Sequence, residues 1–365
     1  MLNRIIRIAA VVCALCLAGC IHRLDPVETD GMIRFTAGSP LLREDAIRTK
    51  SGENLKTAFA VNDNFYVYGT KVVSSTRYTV FNGQSVGLTS LGANVLDPLD
   101  DVWEYSPLRF WDSNASQYDF VAISGPASST EITSNPAAAG HLKANVIFDA
   151  TSSPCDIMAA GYQRNDGTIT PVHLEFNHIL SAVRVTIIND SPSISVTVNS
   201  YGFRNICYRA TGTVEQSGNG LASMGTSDWG TPSYTSSTIL GHSASPGTEL
   251  AKGEEFAMPA DKWDLMVPQE LSPYGEYIPQ LMLDYEYDQV NPYTDVLEHN
   301  HLVFPIRLEE ITVKNSDELI RSWLPGRKYS YEIHIRLGGG IIVNVAVTDW
   351  KEVPAETPGL TIDDE

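Results

Sequence analysis

Lysine and arginine are scarce in this chain of 365 residues: 25 of them stand against 44 aspartates and glutamates, a formal net charge of −19 at pH 7. A surface that acidic repels nucleic acid and anionic lipid headgroups, so neither is expected as a partner. Cysteine is rarer still, with five in all. Cys13, Cys16 and Cys20 crowd into the start, and beyond them stand only Cys155 and Cys207. Two cysteines cannot make a disulfide framework; one bridge and two buried thiols both fit the sequence. Long apolar runs are absent except at the start, where residues 5–17 are apolar apart from Arg7. That run is shorter than the roughly 20 residues a membrane-spanning helix needs.

The start is built differently from the rest. Arg4 and Arg7 supply a basic beginning, the apolar run follows, and Leu17-Ala18-Gly19-Cys20 places small residues before a cysteine. This is a secretory signal over residues 1–19 ending in a lipobox, with Cys20 the expected lipid-bearing first residue of the mature chain. Acyl chains on Cys20 would tether the folded part to a membrane while leaving it in water. Ile21, not an acidic residue, comes next, so the outer membrane is the expected destination. The leader holds two arginines and no acid, and its removal takes the net charge from −19 to −21. About 345 residues remain, enough for two domains that each bury a core.

After a polar tether at 20–30, strand patterns fill the chain and helical periodicity is nearly missing. Residues 32–36 alternate, and Phe65-Tyr66-Val67-Tyr68, Tyr78-Thr79-Val80-Phe81 and Asp119-Phe120-Val121-Ala122-Ile123 are bounded by Gly, Asn, Asp and Ser. Leu174, Phe176 and His178 share one side of a pleat, and Val183, Val185 and Ile187 resume it after a break. Leu281, Leu283, Tyr285 and Tyr287 alternate with Asp284, Glu286 and Asp288, one face packed and the other solvated. Two strong strands close the chain around Gly338-Gly339-Gly340. The fold class is therefore all-β and mostly antiparallel, with sandwich packing. Ser, Thr, Gly and Asn mark 127–140 and 216–245 as surface loops. Turn-forming residues at 189–193 set the expected division: an N-terminal domain over 31–190, a C-terminal domain over 191–350, and an acidic tail over 351–365.

Candidate chemistry is thin. His173 and His178 flank Glu175, but zinc-binding helices need histidines four apart, and five apart in a strand means opposite faces. His299 and His301 share a strand face near Glu298, where a solvated pair without ligand is the better reading than a metal site. Asp284, Glu286 and Asp288 lack the turn that gathers oxygens around calcium. Gly218-Asn219-Gly220 lacks the third glycine of a nucleotide fingerprint, and Gly241-His242-Ser243-Ala244-Ser245 ends wrongly for a nucleophile elbow. No catalytic group, metal or cofactor is nominated, and an enzyme is not expected. Trp103-Glu104-Tyr105, Phe110-Trp111 and Tyr118 read as core and rim packing, with aromatic glycan binding the minority alternative.

The order of these pieces resembles the fimbrillin family, the Mfa-like lipoprotein pilins of Gram-negative gut and oral bacteria. Trp103-Glu104-Tyr105, Phe110-Trp111, Phe176-Asn177-His178-Ile179-Leu180-Ser181, Pro268-Gln269-Glu270-Leu271, Pro325-Gly326-Arg327-Lys328-Tyr329 and Asp349-Trp350 carry the likeness, with Arg327 at the usual lysine. The resemblance implies two transthyretin-like antiparallel β-sandwich domains in tandem and a structural role as stalk, anchor or tip of a fimbria. It implies outer-membrane delivery as a lipoprotein, removal of the first strand by a trypsin-like protease, and filling of the emptied groove by a strand from a neighbouring subunit. On this sequence the strand to be removed is 32–36, and the cleavage candidates beyond it are Arg43 and Arg48. Arg48 is preferred because Ile47-Arg48-Thr49 sits where the family has its Thr-Arg pair. The candidate donor strand carries Ile341, Val343, Val345 and Val347; the same strand could instead complete its own domain. Partners so implied are other fimbrial subunits and, through the lipid, the outer membrane, together with a host or bacterial surface ligand. The competing reading is a monomeric surface lipoprotein that binds glycan or host protein.

Overall fold

The computed structural model describes residues 31–38, 59–92, 100–125, 132–134, 142–152, 155–165, 169–234, 237, 239–257, 262–336 and 340–350. Strands dominate it. In the first half a six-stranded antiparallel sheet runs in the order Asn177–His178, Met158–Arg164, Gln117–Ser124, Asn64–Val73, Thr76–Ser90, Val102–Glu104. Gln117–Ser124, near its middle, is buried at every position after the first. The cause is cover on both faces: Phe120 and Ala122 point into one core, while Val121 and Ile123 point into another.

The first of these cores gathers Phe65, Phe81, Phe120, Trp103 and Tyr105 beneath two short parallel strands, Phe35–Gly38 and Val172–Glu175. The core on the opposite face lies under Lys143–Asp149 and Cys207–Ser217, which pair antiparallel from Lys143 opposite Glu215 to Asp149 opposite Arg209. Ala144, Val146, Phe148, Ala210 and Val214 supply its other wall.

The second half is a two-layer sandwich. One layer has Glu255–Ala257, Ser181–Asn189, Arg327–Arg336, Gly340–Asp349 and Thr312–Val313 in that order, with Asp264–Met266 also paired to Ser181–Asn189. The other has Ile239–Leu250, Val196–Arg204, Gln280–Val290 and Leu297–Arg307. Val183, Val185, Tyr329, Tyr331 and Ile333 face Val198, Phe203, Leu281 and Leu283, as the alternation of these strands requires.

Two features depart from a plain antiparallel chain of hairpins. Ser181–Asn189 and Arg327–Arg336 run parallel through nine paired positions, Ser181 opposite Arg327 to Asn189 opposite Ile335. Hydrogen bonding also crosses the expected division at 190 in both directions. Ser181–Asn189, before it, belongs to the second sandwich, while Cys207–Ser217, after it, covers the first-half sheet.

Candidate functional site

The first strand is a plug in an aromatic groove. Ile33, Phe35 and Ala37 are all buried, and the Phe35 ring lies edge-on to Phe81, Tyr105, Phe120 and Phe65 at centroid distances of 5.4, 5.7, 5.9 and 6.1 Å. Burying Ile33 and Phe35 is worth roughly 2 kcal/mol apiece. Backbone bonds tie the segment to both rims of the groove. Val172 N–H donates to Arg34 O at 2.7 Å and Phe176 N–H to Gly38 O at 3.2 Å on one side. Ile33 N–H donates to Arg109 O at 2.9 Å, and Trp111 N–H to Gly31 O at 2.7 Å, on the other. The Tyr105 hydroxyl donates to Ile33 O at 2.7 Å and Thr36 meets His173 at 2.9 Å. The regular strand is Phe35–Gly38, displaced slightly from the expected 32–36, with Met32 bridged to Phe110. Cys20, Arg43 and Arg48 lie outside the described residues.

The candidate donor strand sits in its own chain's sheet. Gly340–Asp349 pairs antiparallel with Arg327–Arg336 along its whole length, while its other edge meets Thr312–Val313 only at Asn344 and Val345. Val345 is part of the second-half core, and Ile341, Val343 and Val347 pack against that core. Ile342 faces water. One residue beyond the strand, Trp350 leaves this core for the middle one, where it is buried and stacks on His178 at 4.3 Å with 6° between the planes. Trp350 N–H donates to Gly326 O at 2.9 Å, and His178 Nδ1 lies 2.9 Å from the buried Asp156. The end of Gly340–Asp349, the last strand among the described residues, is thus fastened to the first-half sheet.

Other candidate residues fall as follows. Cys155 and Cys207 are not joined in a disulfide, and burial pushes the Cys207 thiol up to about 11, out of nucleophilic range. His173 turns outward to Glu175 at 3.2 Å while His178 turns inward, the opposite faces their spacing dictates. His299 lies 2.9 Å from Asp288 and 3.5 Å from Glu286; its hydrogen bond to Asp288 raises its pKa above the ordinary histidine value. His301 lies 2.8 Å from Asp284. Among the described residues no group of three or more His, Cys, Asp and Glu side chains is arranged to hold a metal ion. The Tyr105 hydroxyl and the His178–Trp350 stack escape sequence reading. Trp103-Glu104-Tyr105 and Asp349-Trp350 were visible as motifs, but not what they hold.

Chains of known structure are similar to this one at low identity. A candidate cell adhesion protein from Bacteroides uniformis is 16% identical, with 88% of this chain and 99% of that one covered and a TM-score of 0.43. A second from Bacteroides eggerthii is 11% identical over 88% and 96%, with a TM-score of 0.41. A fimbrilin from Porphyromonas gingivalis is 11% identical over 89% and 98%, with a TM-score of 0.39. No curated protein matches the chain. A model of the fimbrillin-like family matches residues 49–350, and the chain belongs to that family.

Proposed function

We propose that the chain is a structural subunit of a cell-surface fimbria, delivered to the outer membrane on lipidated Cys20 and joined to its neighbours by strand replacement. Cleavage after Arg48, or after Arg43, frees the segment that carries Ile33, Phe35 and Ala37. A strand from another subunit, with Ile341, Val343, Val345 and Val347 the candidate donors, then enters the groove. The role is structural and not catalytic.

One observation carries the reading: the first strand fills an aromatic groove yet has, among the described residues, a single regular strand neighbour, Val172–Glu175. Its departure would bare Phe65, Phe81, Tyr105 and Phe120 together with the N–H groups of Val172 and Phe176. Open apolar surface and unpaired backbone in one slot are unfavourable in water, and an incoming alternating strand satisfies both. The family match also opens at residue 49, next to Arg48. The test is the N-terminus of protein stripped from the cell surface, read by mass spectrometry. Thr49 or Glu44 at the start supports the reading, whereas a population made up wholly of lipidated Cys20 overturns entry into a polymer and leaves only an anchored protein.

A further inference from the structure

One sheet edge of the second half is long and open. In the two six-stranded sheets the outermost strands, Val102–Glu104, Asn177–His178, Glu255–Ala257 and Thr312–Val313, have only two or three residues each. Ile239–Leu250, an edge of the other sandwich layer, slips register twice against Val196–Arg204. Short or irregular edges are how folded chains avoid pairing with other chains. Leu297–Arg307, the opposite edge of that layer, has neither protection. Its 11 residues pair with Gln280–Val290 without a slip, and among the described residues no strand lies on its other side.

Hydrogen bonds at the two ends of this hairpin fix which backbone groups are free. Asn291 N–H donates to Val296 O at 2.8 Å, and Leu308 N–H donates to Pro279 O at 3.0 Å. Bonded positions alternate along an antiparallel ladder, so between those ends the even-numbered residues bond to Gln280–Val290. Leu297, His299, His301 and Val303 therefore turn N–H and C=O outward. Pro305 comes next in that series, where its missing N–H costs the hairpin nothing. The edge is also apolar: Val296, Leu297, Val303 and Phe304 are 56, 63, 55 and 40% exposed.

A second copy satisfies both features in a single register. Two such strands, antiparallel about a two-fold axis at Asn300, set Leu297 against Val303 of the other copy and His299 against its His301, so every outward N–H and C=O from 297 to 303 is paired. The same register sets Val296 against Phe304, so each exposed apolar side chain meets another. Shifting by two residues sets Pro305 against Leu297 in one direction. In the other it sets Val303 against Asp295, whose φ of +53° lies off the strand. Bonds are lost either way. No carboxylates are opposed: Glu298 meets Leu302, while Asp288 and Asp284 lie one strand back, 2.9 and 2.8 Å from His299 and His301 of their own hairpin. We infer that Leu297–Arg307 is a lateral docking edge for a second copy of this chain, joining two sandwiches through one continuous sheet. The pairing uses no part of the groove that holds Phe35 and needs no cleavage.

The test uses the uncut full chain. Sedimentation velocity over a range of concentrations should show reversible exchange between monomer and dimer. Val303→Lys should weaken the dimer about tenfold and leave the thermal melt unchanged. Under mild oxidation Asn300→Cys should form a disulfide-linked dimer well above the parent level, because the axis brings the two substituted positions together. Glu298→Cys, roughly 13 Å from its counterpart in this register, should not. A chain that stays monomeric at every concentration overturns the proposal, as does a dimer unaffected by Val303→Lys or one that Asn300→Cys links no better than Glu298→Cys. If Val303→Lys lowers the melt, the contrast between the two cysteine variants decides alone. Since Arg48 stays uncut throughout, failure here leaves strand replacement standing, and failure of strand replacement leaves this pairing standing.

Discussion

Asp264 shows what burial does to a single ionisable group in this fold. It pairs through its backbone with Val183, its Oδ2 has no hydrogen-bond partner, and desolvation raises its pKa from 3.8 to about 6. Its charge in turn helps raise the Tyr201 hydroxyl, though burial is the larger cause. A carboxyl with a raised folded-state pKa holds its proton more tightly when folded. Its favourable contribution is therefore complete below the unfolded value near 3.8 and is lost as pH climbs through about 6. Asp264→Asn should stabilise the chain by on the order of 2–3 kcal/mol at pH 7.5, with the gain largely gone at pH 4, in denaturant melts at the two pH values. Sequence reading reached part of this scale. The odd spacing of His173 and His178 placed them on opposite faces, where they are. It could not place Trp350 over His178, because that contact joins strands remote in the chain and leaves no local periodicity.

Single strands were legible wherever one face is wet. Ser181–Asn189 and Arg327–Arg336 alternate buried and partly exposed positions just as Val183, Val185, Ile187, Tyr329, Tyr331 and Ile333 alternate in sequence. What the pattern withheld was the partner. Cys207–Ser217 alternates as cleanly, but alternation reports that a face is covered and not by which sheet, so its place over the first-half sheet was hidden. The parallel pairings were hidden for the same reason. The plugging strand offers a sharp contrast between side chains. Phe35→Ala removes a ring with four aromatic neighbours and should cost about 3–5 kcal/mol in urea melts. Ile342→Ala, on the solvent side of the candidate donor strand, should cost less than about 0.5 kcal/mol. Near-equal losses would mean that the groove does not depend on its plug.

Across the whole molecule, the three cores are joined through strands that cross the middle of the sequence, and Trp350 fastens the end of the last strand to the first-half sheet. The proposed loss of the first strand would spare both main sheets, because among the described residues Phe35–Gly38 pairs only with Val172–Glu175. The acidic balance of 44 to 25 sets copies of the chain against one another by charge repulsion, so the proposed polymerisation needs a specific gain such as filling an emptied groove. The most direct measurement treats the purified full chain with an arginine-specific protease and follows it on unheated detergent gels. Cleavage after Arg48 should release the first segment and convert monomer into a ladder of detergent-resistant multiples that collapses on boiling. A chain that is cut at Arg48 and stays monomeric, or that forms the same ladder with its first strand still in place, would contradict assembly by strand replacement.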